Sequence, residues 1–117
     1  MATSSPIAYL DCFSGISGDM LLGALLHSGV EEGVLLAGLG QIEGVDFQLS
    51  VSDDIRSGIG CKQVSVHSPS RQQLRHLSDI LHLLKKSHLP SDISEKAGHI
   101  FTLLARAEAK VHNMDIE

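Results

Sequence analysis

Two short segments in the middle of the chain alternate apolar and polar residues, and this pattern limits the possible folds more than any other feature. Residues 45–51 (VDFQLSV) and residues 62–67 (KQVSVH) both alternate with a period of two residues. Such alternation is typical of strands that bury one face. Ser57-Gly58 and Gly60 lie between the two segments and are turn signals, so the sequence predicts a β-hairpin.

Helical spacing of apolar residues predicts four helices around this hairpin. Residues 20–26 are apolar nearly all round, which predicts a helix buried on most sides, with Gly29 as its C′ residue. A second helix is predicted over 31–42, although three glycines weaken it. The third has the stripe Leu74, Leu77, Ile80, Leu81 and Leu84, and the fourth has Ile93, Ala97, Ile100, Phe101, Leu104 and Val111. Ser91 or Asp92 is expected to cap the fourth helix.

A further strand is predicted over residues 6–10, which are apolar and bounded by Pro6. The predicted order is therefore β-α-α-β-β-α-α, an α+β pattern that is one strand short of a βαββαβ domain. We expect residues 6–10 to pair with the hairpin over 45–67 in a small sheet, with the helices packed on one face. The chain stops just after a helix, so residues 1–117 are expected to be the N-terminal segment of a longer protein.

The composition narrows the class of protein. The chain is 43% hydrophobic and can form a core, but only 3% of its residues are aromatic, so aliphatic side chains must build that core. The net charge is −5 and no basic run is present, which argues against a nucleic-acid surface. The sequence has no signal peptide and no apolar run long enough to span a membrane. Cys12 and Cys61 have no metal-site spacing, so we expect a reduced, cytoplasmic protein.

The stretch DCFSGISGDM, between the first predicted strand and the first helix, is the leading candidate for a binding site. It contains two Ser-Gly pairs between two acids: Asp11, Ser14, Gly15, Ser17, Gly18 and Asp19. Free backbone N–H groups at a helix start bind phosphate, and Mg²⁺ can join carboxylates to phosphate oxygens. The pattern predicts a metal–nucleotide phosphate site with Asp11 or Asp19 near the metal. The alternative is structural: Asp19 caps the helix and the Ser-Gly pairs form a tight turn.

Two His–carboxylate pairs are further candidates. Glu108 lies beside the apolar stripe of the fourth helix, and His112 follows one turn later, so the two could share a metal or a proton. We expect both to point into a cleft shared with residues 11–19. Alternatively, Glu108 bonds to the backbone or lies under another part of the complete protein. In RHLSDI, His76 and Asp79 project close together as a metal or acid–base pair, or they lie on a solvated helix flank.

Four segments of the sequence together resemble a known family. They are YLDCFSGISGDMLLGALLHSGV, the hairpin residues Gly58, Ile59, Cys61 and Lys62, then RHLSDI, and finally LLARAEAKVHNMDIE. In this order they resemble the start of the nickel insertion proteins of nickel-pincer nucleotide biosynthesis.

The resemblance implies that the complete protein is a CTP-dependent cyclometallase. Such an enzyme inserts nickel into a pyridinium-3,5-bisthiocarboxylate mononucleotide, while CTP goes to CMP and pyrophosphate with the help of Mg²⁺ or Mn²⁺. The product would serve lactate racemase and its relatives, and a C-terminal domain outside this chain would form a homo-oligomer. By itself the 117-residue segment is expected to be inactive.

The resemblance also suggests roles for the candidate residues. Asp19 and Glu108 are assigned to catalysis. Nucleotide contacts are assigned to Ser14, Gly15, Ser17 and Gly18, and metal ligands to Asp11, Asp19, His76, Asp79, Glu108 and His112.

One departure from the family and two other functions keep the assignment open. Many members carry a His-rich run before RHLSDI, a nickel store, where this chain has VHSPSRQQ with only His67. The chain could instead be a non-catalytic nickel-binding or nickel-delivery module. It could also be a purely structural α+β domain whose Ser-Gly stretch is only a turn.

Overall fold

The computed structural model describes residues 4–69 and 75–115. Within them lie four helices and a hairpin, which makes the chain an α+β protein, as predicted. The elements in chain order are α1 (Gly18–His27), α2 (Glu32–Leu39), β1 (Gln48–Arg56), β2 (Ile59–His67), α3 (Leu77–Lys86) and α4 (Ser91–His112).

The hairpin is longer and its turn is tighter than the sequence pattern suggested. β1 and β2 pair antiparallel from Gln48 opposite His67 to Arg56 opposite Ile59. Ser57 and Gly58 form the two-residue connection, with φ angles of 51° and 77°. Two consecutive residues with positive φ match the twist of the flanking strands, so the ladder continues right up to the turn.

The strand predicted over residues 6–10 is wrong. That segment has no strand pairing, and the only sheet in the described residues has two strands, β1 and β2. Ile7 and Tyr9 are 93% and 87% exposed. β-propensity expresses how well a side chain fits a pleated, half-buried surface, and this segment has no such surface beside it.

Helix α1 packs against β2 at a point where only glycine fits. A Cβ atom built on Gly23 would overlap the backbone carbonyl oxygen of Lys62. Leu26 of α1 and Val64 of β2 are buried beside this contact. Met20 is 59% exposed, so α1 is buried on one face and not on most sides as predicted.

The end of α1 is encoded locally and was predicted correctly. Gly29 has a φ of 115° and its N–H donates to the carbonyl of Leu26 at 3.2 Å. The N–H of Val30 donates to the carbonyl of Leu25 at 3.1 Å. These two bonds form a Schellman motif, which favours glycine at the left-handed position.

The two C-terminal helices pack mainly against each other. The hydroxyl of Ser94 donates to the carbonyl of Leu84 at 3.2 Å, and Gly98 lies against the side chains of Leu81 and Leu84. Leu84 is the buried residue of α3. The N-cap of α4 is Pro90, not Ser91 or Asp92, because the carbonyl of Pro90 already accepts the N–H of Ser94 at 3.0 Å. Leu74, predicted to begin the third helix, lies outside the described residues.

A short link joins the segment after α2 to the segment between α3 and α4. Helix α2 ends at Leu39, three residues earlier than predicted. Beyond it, the N–H of His88 donates to the carbonyl of Gln41 at 3.0 Å. The N–H of Glu43 donates to the hydroxyl of Ser87 at 3.1 Å, and the carboxylate of Glu43 pairs with the His88 imidazole.

Few apolar side chains are buried among the described residues. Leu26, Val64 and Leu84 form the buried core, and Leu84 lies in the α3–α4 pair apart from the other two. Many large apolar residues are exposed, from Ile7 near the start to Met114 near the end. A domain of this size normally buries more than half of its unfolded surface, so this chain has apolar surface available for further packing.

Candidate functional site

The stretch DCFSGISGDM forms a turn followed by a helix start, as predicted. The N–H of Gly15 donates to the carbonyl of Cys12 at 3.0 Å, and Gly15 has a φ of 79°. The chain is then extended at Ser17, the N-cap, and α1 begins at Gly18. Gly15 has the left-handed backbone conformation that favours glycine, and Gly18 occupies the first helical position.

Asp19 lies in the first turn of α1 with an exposed carboxylate. The hydroxyl of Ser17 donates to Asp19 Oδ1, and the N–H of Met20 donates to the same oxygen at 3.0 Å. The Ser17 hydroxyl, followed by the Met20 N–H, holds the pKa of Asp19 below its ordinary value. Asp19 is therefore ionised at neutral pH. It is not the N-cap residue, so the capping alternative does not describe its position.

The start of α1 combines an anion-binding and a cation-binding element. The partial positive charge of a helix N-terminus favours phosphate, and the ionised Asp19 favours a cation. Ser14 and Asp11 are exposed on the preceding segment, and neither forms a hydrogen bond in the described part of the chain. The structure thus brings Ser17, Gly18 and Asp19 together and leaves Asp11 apart from the bonded group.

Asp79 has a structural role at the start of α3. His76 is the N-cap residue, and its backbone N–H donates to Asp79 Oδ2 at 3.0 Å. This is the acid half of a capping box, in which the third helical residue bonds back to the cap. The His76 backbone and the Asp79 carboxylate are therefore close because of a local helix-capping bond, and the predicted pairing of their side chains stays a prediction.

A cleft of about 330 Å³ lies beside Asp79, and no pattern in the sequence indicated it. Its lining residues come from α3 and from the segment after α2: Glu43, Gly44, Asp79, His82, Leu83 and Lys86. His82 is one turn after Asp79, a helical spacing that can be recognised in the sequence. Glu43 reaches the cleft only because its segment is linked to Ser87 and His88.

Glu108 and His112 do not share a cleft with residues 11–19 in the described structure. Both are exposed near the end of α4, which packs on α3, and neither side chain forms a hydrogen bond or ion pair among the described residues. The prediction assumed that the neighbouring apolar stripe is buried. Leu104 and Val111 of that stripe are 60% and 78% exposed, so Glu108 needs no buried partner.

Metal-ligating side chains are dispersed in this chain. Among residues 4–69 and 75–115, no three His, Cys, Asp or Glu side chains are grouped so that they could hold a metal ion. Cys12 and Cys61 are both free thiols. Of the helices that the structure describes, none has the length and apolar character needed to cross a membrane.

Comparison with known proteins decides the family. A family model described as "Nickel insertion protein" matches residues 8–117. The chain belongs to the nickel insertion protein family. No solved structure matches the chain.

The relatives are much longer than the part of them that this chain matches. The pyridinium-3,5-bisthiocarboxylic acid mononucleotide nickel insertion protein of Desulfitobacterium hafniense DCB-2 is 46% identical over 110 residues, 94% of this chain and 27% of the relative. The protein of the same name in Geobacillus kaustophilus is 36% identical over 121 residues, 95% of this chain and 29% of the relative. A relative in Desulfotalea psychrophila is 48% identical over 113 residues, 97% of this chain and 29% of its own length. This nickel insertion family chain therefore spans less than a third of the length of these relatives.

Proposed function

We propose that this chain is the N-terminal part of a CTP-dependent enzyme that inserts nickel into pyridinium-3,5-bisthiocarboxylic acid mononucleotide. The observation that carries the proposal is family membership over residues 8–117, together with relatives named for this nickel insertion. The enzyme would act as a nickel chelatase in the cytoplasm, with lactate racemase-type enzymes using its product. The two free thiols fit that reducing compartment.

The start of α1 is the part of the chain best suited to bind the nucleotide. Ser14, Gly15, Ser17 and Gly18 lie in an exposed turn and helix start, where N–H and hydroxyl groups can donate to phosphate oxygens. Both CTP and the mononucleotide substrate carry phosphate. The site therefore matches a chemical group that the two proposed ligands share.

Asp19 fits a role in binding Mg²⁺ or Mn²⁺ beside these phosphates. Mg²⁺ is usually held by one or two carboxylates together with substrate phosphates and water, so a three-ligand protein cluster is not required. Asp19 is exposed and kept ionised by the Ser17 hydroxyl. Bound there, the metal would neutralise phosphate charge, and Asp11 would be the second candidate carboxylate.

Nickel is a substrate of the proposed reaction. Glu108 and His112 are one helical turn apart and exposed, so both remain available as nickel ligands or catalytic groups in the complete protein. His76 and Asp79 remain weaker candidates, because the carboxylate of Asp79 already accepts the His76 N–H.

The test uses a complete enzyme in which this chain replaces the matched part of the D. hafniense relative. Nickel incorporation into the mononucleotide is measured with CTP and Mg²⁺ or Mn²⁺. We expect Asp19→Asn to reduce turnover by about 100-fold, the size seen when one charge-stabilising group is removed from an active site. The urea midpoint should fall only slightly, because one exposed charge in the first turn of a helix contributes at most about 1 kcal/mol.

Asp92→Asn is the matched control, since Asp92 occupies the same second position in the first turn of α4. It should leave turnover unchanged and lower the urea midpoint as little as Asp19→Asn does, because both substitutions remove one charge from a helix start. Normal turnover in Asp19→Asn would contradict the role of Asp19, and equal losses of turnover and stability would favour a structural one. Calorimetry separates the alternative functions: nickel binding without CTP would support a delivery module, and CTP binding that needs Mg²⁺ or Mn²⁺ supports the enzyme.

A further inference from the structure

Helix α4 presents two different faces. The face toward α3 is built from small residues that are half-buried: Ser94, Ala97, Gly98, Thr102, Ala105 and Ala109. A second face, the apolar stripe, carries large apolar residues that are 48–78% exposed: Ile93, Ile100, Leu103, Leu104 and Val111. At 100° per residue the centres of the two faces are about 140° apart. The stripe is therefore separate from the α3 contact.

No described element covers this stripe. α3 has 10 residues and α4 has 22, so at 1.5 Å per residue α4 is roughly twice as long as its partner. The contacts of α3 lie at Ser94 and Gly98, near the start of α4. The C-terminal half of α4, which holds Leu103, Leu104 and Val111, extends past them. Adjacent exposed apolar side chains on a helix mark an interaction surface.

The stripe has charged borders that describe its partner. Beside the C-terminal half of the stripe, Arg106 and Lys110 lie on one side and Glu108 lies on the other. Nearer the start of α4 the basic side also carries the acids Asp92 and Glu95. All five side chains are exposed. A surface that packs on the C-terminal half of the stripe would therefore be apolar at its centre, with acidic residues facing Arg106 and Lys110.

We propose that the apolar stripe of α4 docks onto the polypeptide that the longer nickel insertion proteins carry outside the part matched by this chain. The family match includes all of α4, while the matched part is only 27–29% of three relatives. The remaining length of those relatives is the polypeptide that we assign to cover the stripe. This inference depends on family membership and not on the use of CTP or nickel.

Leu104→Glu tests the proposal in two settings, the 117-residue chain and the chimera with the D. hafniense relative. In the chain alone, Leu104 is 60% exposed, so the helical circular dichroism and thermal midpoint should not change. In the chimera, the same substitution should lower the thermal midpoint and accelerate proteolysis within α4 by at least about tenfold. Leu104→Met keeps an apolar side chain and should behave as the unmodified chimera does.

Lys85→Gln is the matched control, because it changes the charge by the same single unit at an exposed position of α3, away from the stripe and its borders. It should leave both proteins unchanged. An unaffected Leu104→Glu chimera would overturn the proposal. Equal destabilisation of the chain alone would also overturn it, because the stripe would then pack within this chain. A defined dimer of the 117-residue chain that Leu104→Glu dissociates in sedimentation would instead assign the stripe to a second copy.

Discussion

A glycine lies at the α1–β2 contact and another at the α3–α4 contact, yet the two glycines face different kinds of atom. Gly23 in α1 meets the backbone carbonyl of Lys62, which the β-ladder fixes in place. Gly98 in α4 meets Leu81, whose Cδ2 would be 3.2 Å from an added Cβ atom. A leucine side chain can change rotamer, whereas a paired backbone cannot move alone. We therefore expect glycine to be essential at the α1–β2 contact and replaceable at the α3–α4 contact.

Helices α1 and α3 also differ in how the acidic residue of the first turn is hydrogen-bonded. In α3, Asp79 bonds back to the N–H of His76 and closes the helix end. In α1, Asp19 accepts the Ser17 hydroxyl and the N–H of its own neighbour Met20, so the N-cap backbone is left without that bond. The capping bond of Asp79 stabilises α3, and this structural role is enough to explain the acid. An exposed, ionised acid that does not close the helix is the better candidate for function.

The largest expected effect is that of Gly23→Ala. The added methyl group must push α1 away from β2, and overpacking of this kind typically costs about 1–3 kcal/mol of unfolding free energy. We expect the upper half of that range, because the opposing atom belongs to the backbone. Urea unfolding of the 117-residue chain measures it.

Gly33→Ala is the control for this substitution, since nothing lies within 4 Å of a Cβ atom at that position of α2. Alanine there should stabilise the chain by up to about 1 kcal/mol through helix propensity. If both substitutions have the same effect, the close contact between Gly23 and Lys62 does not exist in solution.

Asp79→Ala should have the next largest effect on stability. It leaves the His76 N–H without its acceptor and removes a negative charge from the start of α3, which together should cost about 1 kcal/mol. Asp92→Ala in the first turn of α4 removes an acid that accepts no hydrogen bond in the described structure and should cost less. Equal costs would mean that Asp79 acts through charge alone.

Gly98→Ala should be close to neutral, within about 0.5 kcal/mol. Alanine gains roughly 1 kcal/mol of helix propensity over glycine, and displacement of the Leu81 side chain offsets that gain. Comparison with Gly23→Ala in the same urea experiment tests the difference between the two contacts. If Gly98→Ala lowers the unfolding free energy as much as Gly23→Ala does, the Leu81 side chain of α3 cannot move aside.

The smallest effect concerns pH and the hairpin. Asp53 and Lys62 lie opposite each other and form an ion pair at 2.8 Å, and this contact lowers the pKa of Asp53 from its ordinary value of 3.8. Because the folded pKa is lowered, the pair stabilises the fold above that value and the contribution is lost as pH falls below it. Lys62→Gln should raise the pKa of Asp53 toward 3.8 in an NMR titration. An unchanged pKa would contradict the pair.

Several features of the fold were predictable because they depend on residues close in sequence. Gly29 follows an apolar helix and supplies the left-handed end of α1, and Ser57-Gly58 supplies the hairpin turn. A helix start after the two Ser-Gly pairs was also predicted, although the sequence pattern placed the helix over residues 20–26 with Asp19 as the possible cap, and the structure begins α1 at Gly18 with Ser17 as the N-cap. The match to the family was also visible in the order of four sequence segments.

The candidate residues on α3 and α4 show where pattern alone was insufficient. Glu108 lies beside Leu104 and Val111 at helical spacing, which suggested burial, but α3 packs on the small-residue face and leaves that stripe exposed. The side chains of His76 and Asp79 were predicted to project close together as a pair. Only the bond from the His76 N–H to Asp79 shows that the pair closes a helix.

The sequence by itself determined the four helices, the hairpin with its turn and the end of α1, because hydrogen bonds and periodicity within a few residues decide them, and the order of its motifs determined the family. The tertiary structure alone decided which faces are covered. It left residues 6–10 without a strand partner, linked Glu43 to the distant His88, and exposed Glu108. Burial depends on which elements pack together. The residues nearest in sequence do not indicate which surface will lie opposite a given side chain.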